Sequence, residues 1–211
     1  SNRARDVRDR LVDAVRRAGA ELRTGVKVRD LVPHDGGWRV LVEGGTIEAS
    51  RVILATGGLS VPATGSDGTG LAIARRLGHE VRDTYPALTP LTAEPPVHAA
   101  LAGVSLAVHI VARVGGKRFE SSGGFLFTHR GYSGPSVLDL SHLAVRSRLA
   151  GTRTELLVRW GELDAAQWDE RLRERSSRSV ATLVREVLPA RLADRLLEES
   201  GIEGGCQLAQ L

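Results

Sequence analysis

The residues best suited to chemistry lie in one stretch, Arg51 to Gly70, which reads RVILATGGLSVPATGSDGTG. Its opening, Arg51-Val52-Ile53-Leu54, includes a β-branched, apolar run that predicts a buried strand. The run stops at Ala55-Thr56-Gly57-Gly58, where side chains shrink to almost nothing. A strand ending in such residues lets a large flat molecule reach bare main chain. Ligands of open α/β sheets lie beyond the carboxyl ends of strands, so these positions suit a nucleotide cofactor. They suit equally well a tight turn joining a core strand to a loop. Farther on, Ser66 or Asp67 can cap a helix through Leu71, Ala72, Ala74 and Leu77, with Gly78 ending it. Its first turn, Gly68-Thr69-Gly70, would offer free N–H groups to an anion, or would simply be an ordinary capped start.

Other chemistries are excluded by spacing. The dinucleotide fingerprint needs glycine at its first, third and sixth positions, and Gly65-Ser66-Asp67-Gly68-Thr69-Gly70 carries Asp67 at the third. A phosphate-binding P-loop needs Ser or Thr after Gly-Lys, but Arg118 follows Gly116-Lys117. A hydrolase nucleophile elbow needs glycine two residues after its serine; Pro135 stands there after Ser133, and Pro62 after Ser60. His34, His79, His98, His109, His129 and His142 show no metal-ligand spacing, and Cys206 stands apart from all six. No metal site is expected. His129 and Ser133 are four residues apart, yet Ser133 reads better as a helix cap.

Positioning these residues is the task of a chain of 211 residues with 42% apolar content and only 4% aromatics. Its core must therefore be built from Leu, Val, Ala and Ile. No apolar run approaches the ~20 residues that span a bilayer, and no segment resembles a signal peptide, so a cytoplasmic location is expected. Net charge is +4. The basic residues are interleaved with acids, as in Asp169-Glu170-Arg171, which predicts solvated helix faces and no nucleic-acid partner. No membrane partner is expected either.

Periodicity gives a helix over residues 4–18, with Val7, Leu11, Ala14, Val15 and Ala18 on one face. Strands follow at Ala20–Arg23 and Val26–Val32, a turn at Pro33–Gly37, and a hairpin of Trp38–Glu43 and Thr46–Ala49 about Gly44-Gly45. The proline-dotted stretch Tyr85–Pro96 reads as an extended crossover into a second domain. Beyond it, strands are expected at Val104–Val114, Arg118–Phe119, Gly124–Thr128 and Glu155–Trp160. Ser133 should cap a helix opening at Pro135, and Asp164 and Ser179 should cap two more. A last helix runs Arg191–Glu199, ended by Gly201.

Taken together, these residues resemble the HI0933-like (BaiN/YhiN-type) flavoproteins, also described as aminoacetone-oxidase-family FAD-binding enzymes. The resemblance rests on Val52 to Gly58 with Ser60 and Pro62, on Thr64-Gly65-Ser66, and on Gly68 to Gly70. It continues through Leu77-Gly78-His79, Pro86-Ala87-Leu88 and Pro90-Leu91. Phe125-Leu126-Phe127-Thr128-His129 leading into Ser133-Gly134-Pro135 is its most specific piece, and Leu188-Pro189, Arg191-Leu192 and Gly201-Ile202 complete it.

The resemblance implies a mixed α/β (α+β) protein with two parts. Residues 1–86 would form a partial FAD-binding, Rossmann-like domain with an antiparallel β-meander. Residues 87–211 would form an inserted domain, a β-barrel-like sheet followed by helices. It implies FAD as cofactor, approached by the backbone at Val28 near the adenine and at Ala55, Thr56, Gly57 and Gly58 near the diphosphate and ribityl chain. It assigns no catalytic residue. The parent enzyme would be an FAD-dependent oxidoreductase acting on a small-molecule substrate. Relatives open on a Gly-x-Gly-x-x-Gly turn that this sequence lacks, so the chain resembles a central fragment, expected to be inactive alone and weak in FAD binding. The alternative is a non-catalytic folding or interaction module that self-associates through an open sheet edge.

Overall fold

The computed structural model describes residues 3–174 and 176–210. The chain divides into two compact units, Ser1–Asp83 and Thr84–Leu211.

In the first unit, helix α1 (Ala4–Arg17) precedes an antiparallel meander of β1 (Val28–His34), β2 (Gly37–Val42) and β3 (Gly45–Ala49). The β1–β2 turn is Asp35-Gly36, both at positive φ (45° and 75°), the twist a two-residue hairpin requires. Pro33, expected in a turn, instead pairs with Trp38 inside β1. An edge strand tolerates proline because one row of its amides has no ladder to join. Helix α2 (Thr69–Arg76) is tied to β1 by the Arg76 guanidinium, which donates to the Asp30 carboxylate and the Leu31 carbonyl. Leu31 and Ile73 are buried beside this tie.

Two expected strands are absent. Residues 51–54 form no ladder, and Ile53 is 91% exposed. Residues 20–23 likewise stay irregular. A strand exists only where a neighbour pairs its N–H and C=O groups, and no described strand lies alongside either segment. Helix α1 forms as the periodicity requires, yet none of its residues is buried, and Leu11 is 63% exposed.

The second unit is built on a five-stranded antiparallel sheet ordered β4-β7-β6-β5-β8: β4 (Leu91–Thr92), β5 (Ser105–Val114), β6 (Lys117–Thr128), β7 (Gly131–Ser133) and β8 (Glu155–Trp160). Alternation along β5 sends Val108, Ile110 and Ala112 inward, where they meet Phe125 and Phe127 of β6. Helix α3 (Pro135–Leu149) covers this face with Val137, Leu140 and Leu143. Its N-cap is Gly134 rather than the expected Ser133: at φ 97° it passes so near the Gly124 carbonyl that a Cβ there would stand 2.5 Å from the oxygen. A side chain larger than hydrogen does not fit.

Three serines of α3 are buried and bonded. Ser136 Oγ donates to the Gly124 carbonyl, Ser141 Oγ accepts the Thr89 amide at 3.1 Å, and Ser147 Oγ pairs with Thr154 Oγ1. They peg the proline-rich segment and the β8 approach to the helix. Helices α4 (Ala165–Leu172), α5 (Val180–Val187) and α6 (Ala190–Glu199) follow. Asp164 caps α4 in a reciprocal box with Gln167, and Ser179 caps α5. A second apolar cluster of Val180, Leu183, Leu197 and Leu208 gathers α5 and α6.

Candidate functional site

Ala55, Thr56, Gly57 and Gly58 form an exposed turn leaning on the start of α2. The contact is made by Thr56, whose side chain fills the space that a Cβ on buried Gly70 would need. Leu59 does the same over Gly68, at 2.7 Å from the missing Cβ. Ser66 fastens the loop, its Oγ accepting the Val61 amide at 3.0 Å and donating to the Val61 carbonyl at 2.9 Å. Between these anchors, no protein group among the described residues bonds the main chain of Ala55 to Gly58. Gly57 holds φ 71° with Ser66 Cβ 3.4 Å from its Cβ position, and Gly58 has nothing within 4 Å of a Cβ position. This is an accessible stretch of bare peptide, held by its flanks.

Val28, at the start of β1, is half-exposed beside a bulge between Val28 and Asp30. Its neighbour Lys27 links that strand to the α2 loop, with its ammonium 3.8 Å from the Asp67 carboxylate. Asp67 Oδ1 accepts the Thr69 amide at 3.0 Å; the Thr69 side chain first, then this amide bond and the Lys27 charge, hold the Asp67 carboxyl below the usual range. The sequence left open whether the first turn of α2 offers free amides to an anion. One of them, Thr69 N–H, is already taken by the protein's own carboxylate. A separate cleft of about 390 Å³ opens in this unit between Trp38, Val52, Leu54, Ala74, Leu77 and Val81.

The residues fit a dinucleotide in the sense that a flat group could lie along Ala55–Gly58 without meeting a side chain at Gly58. They supply uncharged main-chain donors and acceptors, and Lys27 is paired with Asp67.

His129 is exposed at the β6–β7 turn, and Ser133 lies in β7. His109 bonds Ser122 at 2.8 Å and lies 3.2 Å from Glu120 on the outer sheet face. No three His, Cys, Asp or Glu residues among those described could together hold a metal ion. No helix among the described residues is long and apolar enough to cross a membrane.

One arrangement had no signal in the sequence. His98 Nδ1 lies 2.7 Å from Tyr132 Oη, and its Nε2 lies 2.8 Å from Glu199 Oε1, which also accepts from Arg195 Nε at 2.8 Å. These residues stand 34 and 101 positions apart. Burial raises the Tyr132 pKa, as does the Glu199 charge. Partial burial pushes Glu199 up, but hydrogen bonds from His98 and Arg195 and their charge outweigh it, and its pKa is lowered.

An antiparallel sheet roofed by one helix and followed by a helix pair broken at Pro189 defines the architecture of the second unit. Residues 85–211 match the family model described as "HI0933-like protein barrel and H2TH domain". The chain belongs to the HI0933-like family. It is 30% identical over 217 aligned residues to a 3-dehydro-bile acid delta(4,6)-reductase of Clostridium scindens, covering 100% of this chain and 53% of that protein. It is 34% identical over 141 residues to a ribosomal RNA dihydrouridine synthase of Escherichia coli (65% of this chain, 34% of that protein). A Haemophilus influenzae protein of the same name is 41% identical over 97 residues (45% and 23%). The chain thus spans about half the length of the first of these relatives and less of the others.

Proposed function

We propose that this chain is part of a flavin-dependent reductase that saturates a carbon–carbon double bond conjugated to a carbonyl, with FAD as the flavin. The observation that carries the reading is the exposed main chain of Ala55–Gly58, unbonded among the described residues, with open space at the Cβ position of Gly58. The relatives' names support the chemistry, since a delta(4,6)-reductase and a dihydrouridine synthase both describe the loss of a double bond. FAD bound along this turn would, in its reduced form, supply hydride from its N5 atom.

The role of the chain's own residues is to bind and orient. Thr56 and Leu59 brace the turn against α2, Gly57 and Gly58 leave it bare, and Val28 is proposed at the adenine end. Each main-chain contact is worth far less than a charge-assisted bond of roughly 1.5–3 kcal/mol. These 211 residues alone are therefore expected to hold FAD weakly. Residues 1–86 are proposed as the cofactor-binding part of a Rossmann-like domain, and 87–211 as the part that shapes the substrate site. A small-molecule substrate and a cytoplasmic location complete the proposal.

The test uses the polypeptide at its gene-encoded length, purified and reduced without oxygen. Its flavin band should return on adding cyclohex-2-enone and stay bleached with cyclohexanone. A protein that carries no flavin, or one reoxidised equally by both ketones, would overturn the reading.

A further inference from the structure

The second unit contains a cavity of about 200 Å³ between the inner sheet face and α3, walled by Ile110, Phe125, Val137, Leu140, Val158 and Trp160. Protein interiors seldom keep an apolar void larger than a water molecule. This one is partly open to solvent, and its volume exceeds the roughly 150 Å³ of an enclosed apolar cavity that takes up benzene. Its walls are aromatic on one side: Phe125 meets Trp160 edge-to-face at 5.2 Å and Tyr132 at 5.6 Å. Such rings present both faces and edges to a planar guest.

Its polar corner is equally specific. Tyr132 and His98 both line the cavity. A carboxylate only accepts, so the Glu199 contact places a proton on His98 Nε2, and in the neutral form of the ring this leaves Nδ1 as an acceptor. The Tyr132 hydroxyl must then donate to Nδ1, and its remaining lone pair is an acceptor for whatever enters. Arg195, also of α6, donates to the same Glu199 oxygen and holds it in place.

We propose that this cavity is a binding site for a small planar aromatic molecule bearing one O–H or N–H group, of the phenol or indole class. The ring fills the space between Phe125, Val158 and Trp160, and its polar hydrogen bonds to Tyr132 Oη. The site lies wholly within the second unit and does not depend on a flavin.

The experiment titrates 4-methylphenol and toluene, alike in shape, into this chain by calorimetry. 4-Methylphenol should bind saturably and about five-fold tighter than toluene, the value of one neutral hydrogen bond. In Tyr132→Phe the preference should fall to near one while toluene affinity holds. Val158→Phe, which fills the space, should abolish both. The indole N–H resonance of Trp160, not those of Trp38 or Trp168, should shift on titration, which keeps the test decisive if Val158→Phe fails to fold. Absence of saturable binding, an unchanged preference in Tyr132→Phe, or a shift confined to Trp38 or Trp168 would overturn the proposal.

Discussion

The Thr56 hydroxyl sits where a Cβ on Gly70 would lie, so the turn proposed to face the cofactor is seated on the first turn of α2 by one missing methyl group. Alanine in a helix interior ordinarily gains up to about 1 kcal/mol over glycine. Here Gly70→Ala should destabilise instead, because Thr56 must move. In a Thr56→Ala background much of the obstruction is gone and the same change should be neutral or stabilising. A double-mutant cycle by urea unfolding should give a coupling of about 1–3 kcal/mol. Additivity would mean the turn is not seated there.

Gly131 poses the same question in the sheet. It sits at φ 150°, and a Cβ would run into the Leu91 carbonyl and stand 2.9 Å from Thr92 Cα. Both obstacles are backbone of the paired strand β4, which a rotamer change cannot relieve. Gly131→Ala should cost about 3 kcal/mol or more in equilibrium unfolding. Gly151→Ala, also at positive φ but with open space around it, should cost about 1 kcal/mol. Equal losses would rule out the close strand approach.

These glycines mark the limit of what the sequence discloses. Local signals were legible: the Asp164 and Ser179 caps, the Gly44-Gly45 hairpin and the period of α1 all follow from nearby residues. The segment Arg51–Leu54 has strand composition, but ladder formation depends on a partner that composition does not name. Strand β4 is two residues long and exists because β7 binds it, not because Leu91-Thr92 prefers it. Ser133 and Gly134 compete for the cap of α3, and the Gly124 carbonyl, ten positions before Gly134, decides between them. Ala55–Gly58 could be singled out because small residues in a row are visible; His98, Tyr132 and Glu199 could not, since only folding brings them together.

Stability should depend on pH through Glu199. Its native pKa is lowered, so the ionised form is favoured in the folded state. That contribution is fully present above the carboxyl's unfolded value and fades as pH falls through the native one. Urea midpoints of the wild type and Glu199→Gln should therefore differ near neutrality and converge in acid. A gap that persists or widens in acid would show that the carboxylate charge is not what His98 and Arg195 hold.

Tyr132 shifts in the opposite sense. Burial and then the Glu199 charge disfavour the phenolate, so its native pKa is raised. The neutral phenol is favoured in the fold; this contribution is intact below the unfolded value, about 10, and is lost as pH rises through the native one. The chain has two tyrosines, so Tyr85→Phe leaves Tyr132 alone to be followed by tyrosinate absorbance. Its midpoint should lie above that of free tyrosine. Glu199→Gln should bring it down part of the way, with burial keeping the rest. A midpoint at the free value would contradict the packing drawn around β7.

Gly58 separates the cofactor reading from a merely structural turn. No atom stands within 4 Å of its Cβ position, its φ lies outside the left-handed region, and the residue is exposed. Gly58→Val should accordingly change unfolding free energy by no more than about 0.5 kcal/mol, as surface substitutions away from special features do. If bare main chain is what a dinucleotide needs there, the isopropyl group occupies its place. In the gene-length polypeptide, Gly58→Val should lower FAD affinity by about ten-fold or more, the loss of roughly 1.4 kcal/mol of contact. Flavin retained after gel filtration, compared between wild type and variant at matched stability, measures it. Full retention in Gly58→Val would reduce the turn to a connection between β3 and α2 and place the cofactor elsewhere.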